Sequence, residues 1–284
     1  MNTETTKNIK LRLLQFAIDV FIGTLKIFPR KQRQTLLTGI SRLIFRFAKR
    51  TRSRCLENIT RAHPEMTETQ VLALAKKSYA NVVLGVTETF WLEDIDLHVH
   101  YGDGVEALLR SGKPVVVAAM HMGCCEAVPL AVEQVTSRST TLSNIPKNMP
   151  FAFELYQNVG INVIDRNKKN AFFDVLKAAR TGEVVSLHSD FHGEELDVDF
   201  FGCKTGAPAG IATLSALARA SVLIAYSYYE DDATCHVNFE LFSEEPAPKA
   251  KEGMHDMVRQ MYTRYEALIR QHSDNWYWSY HRFR

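Results

Sequence analysis

The hydrophobic pattern divides the chain into a helical first part and an alternating second part. Through residue 111 the apolar positions recur mainly at helical spacing, and beyond it short β-branched runs alternate with helical segments. Such alternation predicts an α/β fold with a mostly parallel central sheet flanked by helices on both faces, after an amphipathic helical N-terminal region. The predicted helices are 9–28, 32–48, 51–62, 67–91, 103–111, 124–135, 148–158, 169–180, 208–219 and 252–272, and the predicted strands are 115–120, 139–143, 161–164, 183–188, 222–228 and 235–241.

Charge is distributed unevenly along the 284 residues, although the formal net charge is only +2. Residues 1–62 contain 14 Lys or Arg and 3 acidic residues, whereas residues 63–284 contain 20 and 29. Basic residues interleaved with apolar ones favour an anionic membrane surface, at roughly 1 kcal/mol per cation near the lipid. We therefore expect 1–62 to form basic, membrane-associating helices. They would belong to the same domain as 63–284, because no Gly/Ser-rich linker separates the two parts.

The first predicted helix bears on how the chain meets a membrane. Its apolar stretch, 13–28, has 16 residues and includes Asp19 and Lys26, whereas a span needs about 20 apolar residues. We expect this helix to lie in the membrane interface; the alternative is a helix that packs on the domain through its apolar face. Five cysteines at irregular spacing, with no export signal before them, favour a reducing compartment.

A histidine and a glutamate follow the first strand of the alternating part. His121 would end the strand 115–120, and Glu126 would stand near the start of the next helix. Ligands of open α/β sheets bind at the carboxyl ends of the strands. A carboxylate that meets an imidazole there holds one tautomer and stabilises the imidazolium ion. His121 is therefore a candidate general base, with Glu126 as its partner.

A second block places basic residues after the strand 161–164. Arg166, with Lys168 and Lys169, forms a candidate anion site. The planar guanidinium suits phosphate because it donates to two oxygens at once and stays charged.

The third block places Asp190 between His188 and His192, just after the strand 183–188. Three possible ligands at alternate positions share one face of an extended segment, which is compatible with a zinc or iron site. No second cluster clearly offers the remaining ligands, so we expect no metal and no cofactor, and the metal site stays an alternative.

Together the three blocks resemble the lysophospholipid acyltransferase superfamily and, more specifically, the late acyltransferases of bacterial lipid A biosynthesis. The resemblance rests on His121 followed after four residues by an acid, on 160–166 and on 182–193. It extends to the N-terminal helices and to the terminal segment Trp-Tyr-Trp-Ser-Tyr-His-Arg-Phe. The Pro-Asp that opens the family's third motif is absent here, and the first helix is a weaker anchor than relatives commonly have.

The resemblance implies a membrane-associated acyltransferase, peripheral or weakly anchored at the cytoplasmic face of the bacterial inner membrane. An acyl group on a thioester donor, expected to be a carrier protein, would pass in a single displacement to a hydroxyl of a membrane lipid such as lipid A. His121 would take the hydroxyl proton, and Arg166 with Lys168 would bind an acceptor phosphate. Asp190 would contact substrate, and the backbone amides at Gly123 or around Gly193 would be candidate donors to the oxyanion. No nucleic-acid partner is expected.

Other hypotheses stay open. The donor could carry an aminoacyl group, as in the lipid A glycyl-transfer branch of the superfamily. Cys124 or Cys125 could form a covalent acyl-enzyme after activation by His121. The chain could instead be a non-catalytic membrane-binding module. The C-terminal aromatic and basic segment suits a membrane interface and a packed terminal strand equally well.

Overall fold

The structure is a computed structural model that describes residue 16, residues 20–145 and residues 152–284. Residues 20–26 are helical, and a 3-10 helix spans Thr89–Asp94. The helices that follow residue 26 are α1 Arg30–Phe47, α2 Lys49–Ala62, α3 Glu68–Glu88, α4 Val105–Arg110, α5 Ala127–Thr136, α6 Ala152–Gln157, α7 Ala171–Arg180, α8 Gly210–Ala218 and α9 Lys251–Gln271. The strands are β1 Leu97–Tyr101, β2 Val115–Ala119, β3 Ser139–Ser143, β4 Asn162–Asp165, β5 Val184–His188, β6 Leu196–Phe200, β7 Cys203–Ala207, β8 Ser221–Tyr229 and β9 Cys235–Ser243.

Seven of the strands within the described ranges form one sheet in the order β1-β9-β8-β2-β5-β3-β4. All neighbouring pairs are parallel except β8 with β9, which are antiparallel. The strands β6 and β7 form a separate antiparallel hairpin. The predicted α/β fold with a mostly parallel central sheet is confirmed.

Alternate residues of the central strands face two different cores. Val116 and Ala118 of β2 pack in one core with residues of α7, α8 and α9, whereas Val115 and Val117 pack in the other with residues of α4 and α5. A strand covered by helices on both faces has no solvent side, which explains why β2 is apolar at every position. The prediction of helices on both faces is confirmed.

The helix α1 has polar residues on its buried side and apolar residues on its exposed side. Arg33, 5% exposed, pairs with Asp94 at 2.5 Å. By contrast, Leu43 is 58% and Phe47 69% exposed. The core-facing apolar stripe expected of an amphipathic helix is therefore only partial here. Among the helices in the described part of the chain, none combines the length and the hydropathy that crossing a bilayer requires.

Some predicted boundaries lie outside the described residues, and some elements were not predicted. Half of the predicted helix 9–28 falls outside, as does the start of 148–158. The division of the chain at residue 62 is not tested and stays a prediction. The strand β1 and the hairpin of β6 and β7 were missed, although β6 alternates buried and exposed residues as a half-buried strand does.

Candidate active site

The register between β2 and β5 determines which side chains meet at the carboxyl edge of the sheet. Ala119 is paired with His188, so residues two positions further along, His121 and Asp190, leave the sheet side by side. The ring of His121 donates from Nδ1 to Oδ1 of Asp190 at 2.7 Å. The backbone N–H of His121 donates to Oδ2 of the same carboxylate at 3.0 Å. Asp190 therefore holds His121 by both its ring and its backbone.

Asp190 is fully buried and remains a carboxylate. Trp276 donates from Nε1 to Oδ2 at 2.7 Å, and Arg282 donates from Nε to the backbone oxygen of Asp190 at 2.9 Å. Burial by itself raises the pKa of Asp190, but the charge of His121 and the hydrogen bonds that His121 and Trp276 donate to the carboxylate outweigh it, so that the pKa lies below its ordinary value. A charged acceptor on Nδ1 leaves Nε2 of His121 as the nitrogen that can take a proton.

The imidazole of His121 is held between fixed neighbours and is still partly accessible. The ring of Phe191 stacks on it with centroids 3.4 Å apart, and Tyr280 stacks on the other side of Phe191 at 3.7 Å. The backbone N–H of Tyr277 donates to the carbonyl of His121 at 3.2 Å. The His121 side chain is 23% exposed. The ring therefore has one orientation and an edge that a substrate can reach.

The helices α2 and α3 hold the C-terminal segment beside Asp190. Asn58 of α2 donates to the carbonyl of Trp278 at 2.8 Å, and Ser78 of α3 donates to the carbonyl of Trp276 at 2.8 Å. Trp276, Trp278 and Arg282 are each 0% exposed. The C-terminal aromatic segment is thus a packed element that carries Trp276 to the carboxylate.

Glu126 occupies a different position from the one predicted for it. It caps α5 and is 7% exposed, and no hydrogen bond joins it to His121 within the described residues. Burial raises the pKa of Glu126, against the opposing effects of the Tyr156 hydroxyl and the His121 charge. The carboxylate on the ring is instead Asp190, because the ring turns towards β5. A catalytic role for Glu126 stays a prediction.

His188 and His192 separate after β5. Burial lowers the pKa of His188 to about 3, and its ring centroid lies 4.6 Å from that of His121. His192 lies beside Gly206 of β7. Because Asp190 is hydrogen-bonded to His121 and His192 lies by the hairpin, the three alternate residues that were the alternative metal site do not converge. His188 instead approaches Cys125 and Glu126, which could hold a metal ion with it.

Gly123 makes the sharp turn after His121, with a φ of 52°. A Cβ there would lie 2.9 Å from the carbonyl oxygen of Ser227, and a Cβ on Gly85 of α3 would overlap the Gly123 carbonyl. The Gly123 N–H donates to the carbonyl of Asn275 at 3.0 Å. This amide is therefore already hydrogen-bonded within the protein. To donate to an oxyanion, it would have to break that bond.

Arg166 and Lys168 lie at the same edge of the sheet as His121 but further along it. The backbone N–H of Arg166 donates to the carbonyl of Ser143 at 2.9 Å, and both basic side chains are exposed. Their strand, β4, lies three positions from β2, which is roughly 14 Å at the usual spacing between strands. The predicted anion site therefore lies at the same edge of the sheet as His121, three strands away.

The two cysteines near His121 are poorly suited to act as nucleophiles. Burial raises the pKa of both Cys124 and Cys125 well above the ordinary value. A thiol is a weaker nucleophile than a thiolate. In addition, no hydrogen bond joins either sulfur to His121 within the described residues. The geometry favours direct attack by an acceptor over an acyl-cysteine.

The family model described as bacterial lipid A biosynthesis acyltransferase matches residues 4–284 of the chain. This range includes the strand ends that bear His121, Arg166 and Asp190. A comparison with curated proteins found no match.

Proposed function

The chain belongs to the bacterial lipid A biosynthesis acyltransferase family, and from this premise we propose that it transfers an acyl group from a carrier-protein thioester to a hydroxyl of lipid A. Family membership makes the chain an acyltransferase with a lipid acceptor and an acyl donor, rather than a non-catalytic binding module. The observation that carries the mechanism is the 2.7 Å hydrogen bond from His121 Nδ1 to the buried carboxylate of Asp190.

The reaction is a single displacement with His121 as general base. Nε2 takes the proton of the acceptor hydroxyl as its oxygen attacks the carbonyl carbon of the thioester. The tetrahedral intermediate then expels the carrier thiolate, which receives the same proton from the imidazolium ion. Asp190 touches neither substrate; it positions the ring and stabilises the positive charge that the ring acquires.

Glu126 and the basic residues have supporting parts in this proposal. Burial raises the pKa of Glu126, and the charge of His121 opposes that rise, so formation of the imidazolium ion would favour the ionised, stabilising form of this carboxyl. Arg166 and Lys168 would bind a phosphate of the acceptor, since a fork of charged donors suits phosphate oxygens. A phosphate held roughly 14 Å from His121 requires an acceptor long enough to reach from one site to the other.

We also propose that the chain works at the cytoplasmic face of the inner membrane, held at its surface. Three apolar side chains are well exposed, Ile27 at 81%, Leu43 at 58% and Phe47 at 69%. Lys26 adjoins Ile27 in the sequence, and Arg46 adjoins Phe47. Apolar side chains beside cations suit the interface of an anionic bilayer. The same cations would attract an acidic carrier protein.

A product measurement separates the acyl donor from the aminoacyl alternative. Purified full-length protein would be incubated with lipid A and either an acyl-charged or a glycyl-charged carrier protein, and the lipid would be weighed by mass spectrometry. We expect a mass increase with the acyl carrier alone. An increase with only the glycyl carrier would overturn the proposed donor, and no increase with either would contradict the proposed carrier-dependent reaction.

A further inference from the structure

Three different ligand types converge beside His121. Cys125 and Glu126 come from the turn before α5, and His188 ends β5. One ligand atom from each lies within 4.8 Å of the others. Bonds of about 2.0–2.3 Å to a tetrahedral zinc ion hold its ligands roughly 3.5 Å apart, so modest side-chain rotations would bring the three atoms onto one ion.

Two members of the cluster have polar atoms whose hydrogen-bonding capacity the fold leaves unused. Oε2 of Glu126 and Nε2 of His188 are buried and have no hydrogen-bond partner in the described part of the chain. An unpaired buried polar atom costs about 1–3 kcal/mol, so most such atoms in proteins have a partner. A cation between them would satisfy both at once. Cys125 and His188 are partly exposed, which gives an ion a route in.

The donor set identifies the class of ion. Thiolate and imidazole select zinc-like ions over magnesium and calcium, which prefer shells made of oxygen. Three protein ligands leave one position of a tetrahedral shell open. We propose that Cys125, Glu126 and His188 bind a divalent cation of the zinc class. Cys125 would bind it as a thiolate, and the thiol proton would be released to solvent. This set differs from the alternating residues His188, Asp190 and His192 of the sequence.

Binding of the cation would also affect acyl transfer, an effect that rests on the function proposed above. The ring of His188 lies 4.6 Å from the ring of His121. With one thiolate and one carboxylate bound to it, the divalent cation leaves the cluster formally neutral, so Glu126 would no longer offer a negative charge to the nearby imidazolium ion. The cation would therefore inhibit acyl transfer.

Cobalt(II) tests the binding directly, because a thiolate bound to Co²⁺ gives a charge-transfer absorption that oxygen and nitrogen ligands lack. Full-length protein would be titrated with Co²⁺ alone and then with Zn²⁺ as competitor. We expect one Co²⁺ per chain, the thiolate band, and its loss when Zn²⁺ is added. Cys125→Ser should remove the band, and His188→Gln should weaken Co²⁺ binding about 100-fold, since even supporting residues contribute 10- to 100-fold.

Cys124→Ser is the matched control. Cys124 is the adjacent cysteine and is 0% exposed; besides burial, the groups that raise its pKa are Cys235, Glu88, Cys125 and Glu126, and His188 is not among them. Its variant should keep the band at the wild-type affinity, and circular dichroism would establish that each variant is folded. Absence of the band in the wild type, its persistence in folded Cys125→Ser, or its selective loss in folded Cys124→Ser would overturn the site. Binding without slower transfer would overturn only the inhibition.

Discussion

Replacing Asp190 by asparagine changes the chemistry of the site while keeping its shape. The carboxylate accepts three hydrogen bonds, from the ring and the backbone of His121 and from Trp276, at 2.7, 3.0 and 2.7 Å. An amide has one oxygen to offer and presents its NH₂ group in place of the other. If the amide oxygen takes the place of Oδ2, its NH₂ faces Nδ1 and forces the proton onto Nε2. His121 would then be the wrong tautomer to act as a base.

The expected loss in kcat for Asp190→Asn is about 10³- to 10⁴-fold, the scale on which an amide in place of such a carboxylate slows an imidazole base. The loss of charge-assisted hydrogen bonds should also lower the free energy of unfolding by about 1–3 kcal/mol. Transfer would be followed by mass spectrometry at saturating donor and acceptor, and the fold by circular dichroism. Asp197→Asn, on the exposed face of β6, is the matched control and should change neither quantity.

Comparing the losses of kcat in Asp190→Asn and Glu126→Gln shows which of the two carboxylates orients the ring of His121. Glu126 has no hydrogen bond to His121 within the described residues, so its variant should lose less activity than Asp190→Asn. A folded Asp190→Asn variant within about tenfold of wild-type kcat would refute the reasoning, because the wrong tautomer cannot sustain such a rate. A larger loss for Glu126→Gln than for Asp190→Asn would return the orienting role to Glu126.

Three further variants test the packing at Gly85, the phosphate contact and the membrane surface. Gly85→Ala should destabilise the protein by about 2–3 kcal/mol in thermal unfolding, because its Cβ meets backbone; Gly39→Ala, which has open space, should not, and equal midpoints would contradict the packing. Arg166→Gln should raise KM for a phosphorylated acceptor about 10- to 100-fold with kcat nearly unchanged, and an unchanged KM would exclude the phosphate contact. Changing exposed Leu43 and Phe47 together to Glu should weaken sedimentation with anionic vesicles without lowering the unfolding midpoint; undiminished sedimentation would refute membrane contact through α1.

Much of the fold was predictable because its strands carry a strong periodic signal. The parallel strands β2 and β5 are nearly continuous apolar runs, and the helices between them have a clear period, so α/β alternation followed from the sequence. The strand β1 was missed because His98 and His100 interrupt its apolar character on an exposed edge. The N-terminal helices gave an equally strong signal, but their apolar face divides between the core and the solvent in a way that periodicity alone cannot assign.

The site was predicted in part, and the difference lies in strand pairing. His121 was identifiable because a histidine at the end of a buried strand reaches the edge where ligands bind. Asp190 was singled out as a substrate contact, but its hydrogen bond to His121 was not predicted, because the two residues are distant in sequence and meet only through the register of β2 with β5. Once those strands are known to be parallel neighbours, His121 and Asp190 each stand two positions past a paired end. The hydrogen bonds that Trp276 and Arg282 donate to Asp190 could not be predicted either. They depend on the path of the C-terminal segment, whose sequence has no periodic pattern of apolar residues.

The central claim is that His121, held by Asp190, is the base that activates a lipid hydroxyl. Its most direct test is the mass of lipid A after incubation with acyl-charged carrier protein and either wild type or His121→Ala. We expect one added acyl group with the wild type and none above background with a folded His121→Ala variant. General-base catalysis contributes roughly 10²- to 10⁴-fold. Transfer by that variant within about tenfold of the wild-type rate would therefore contradict the role of His121 as general base.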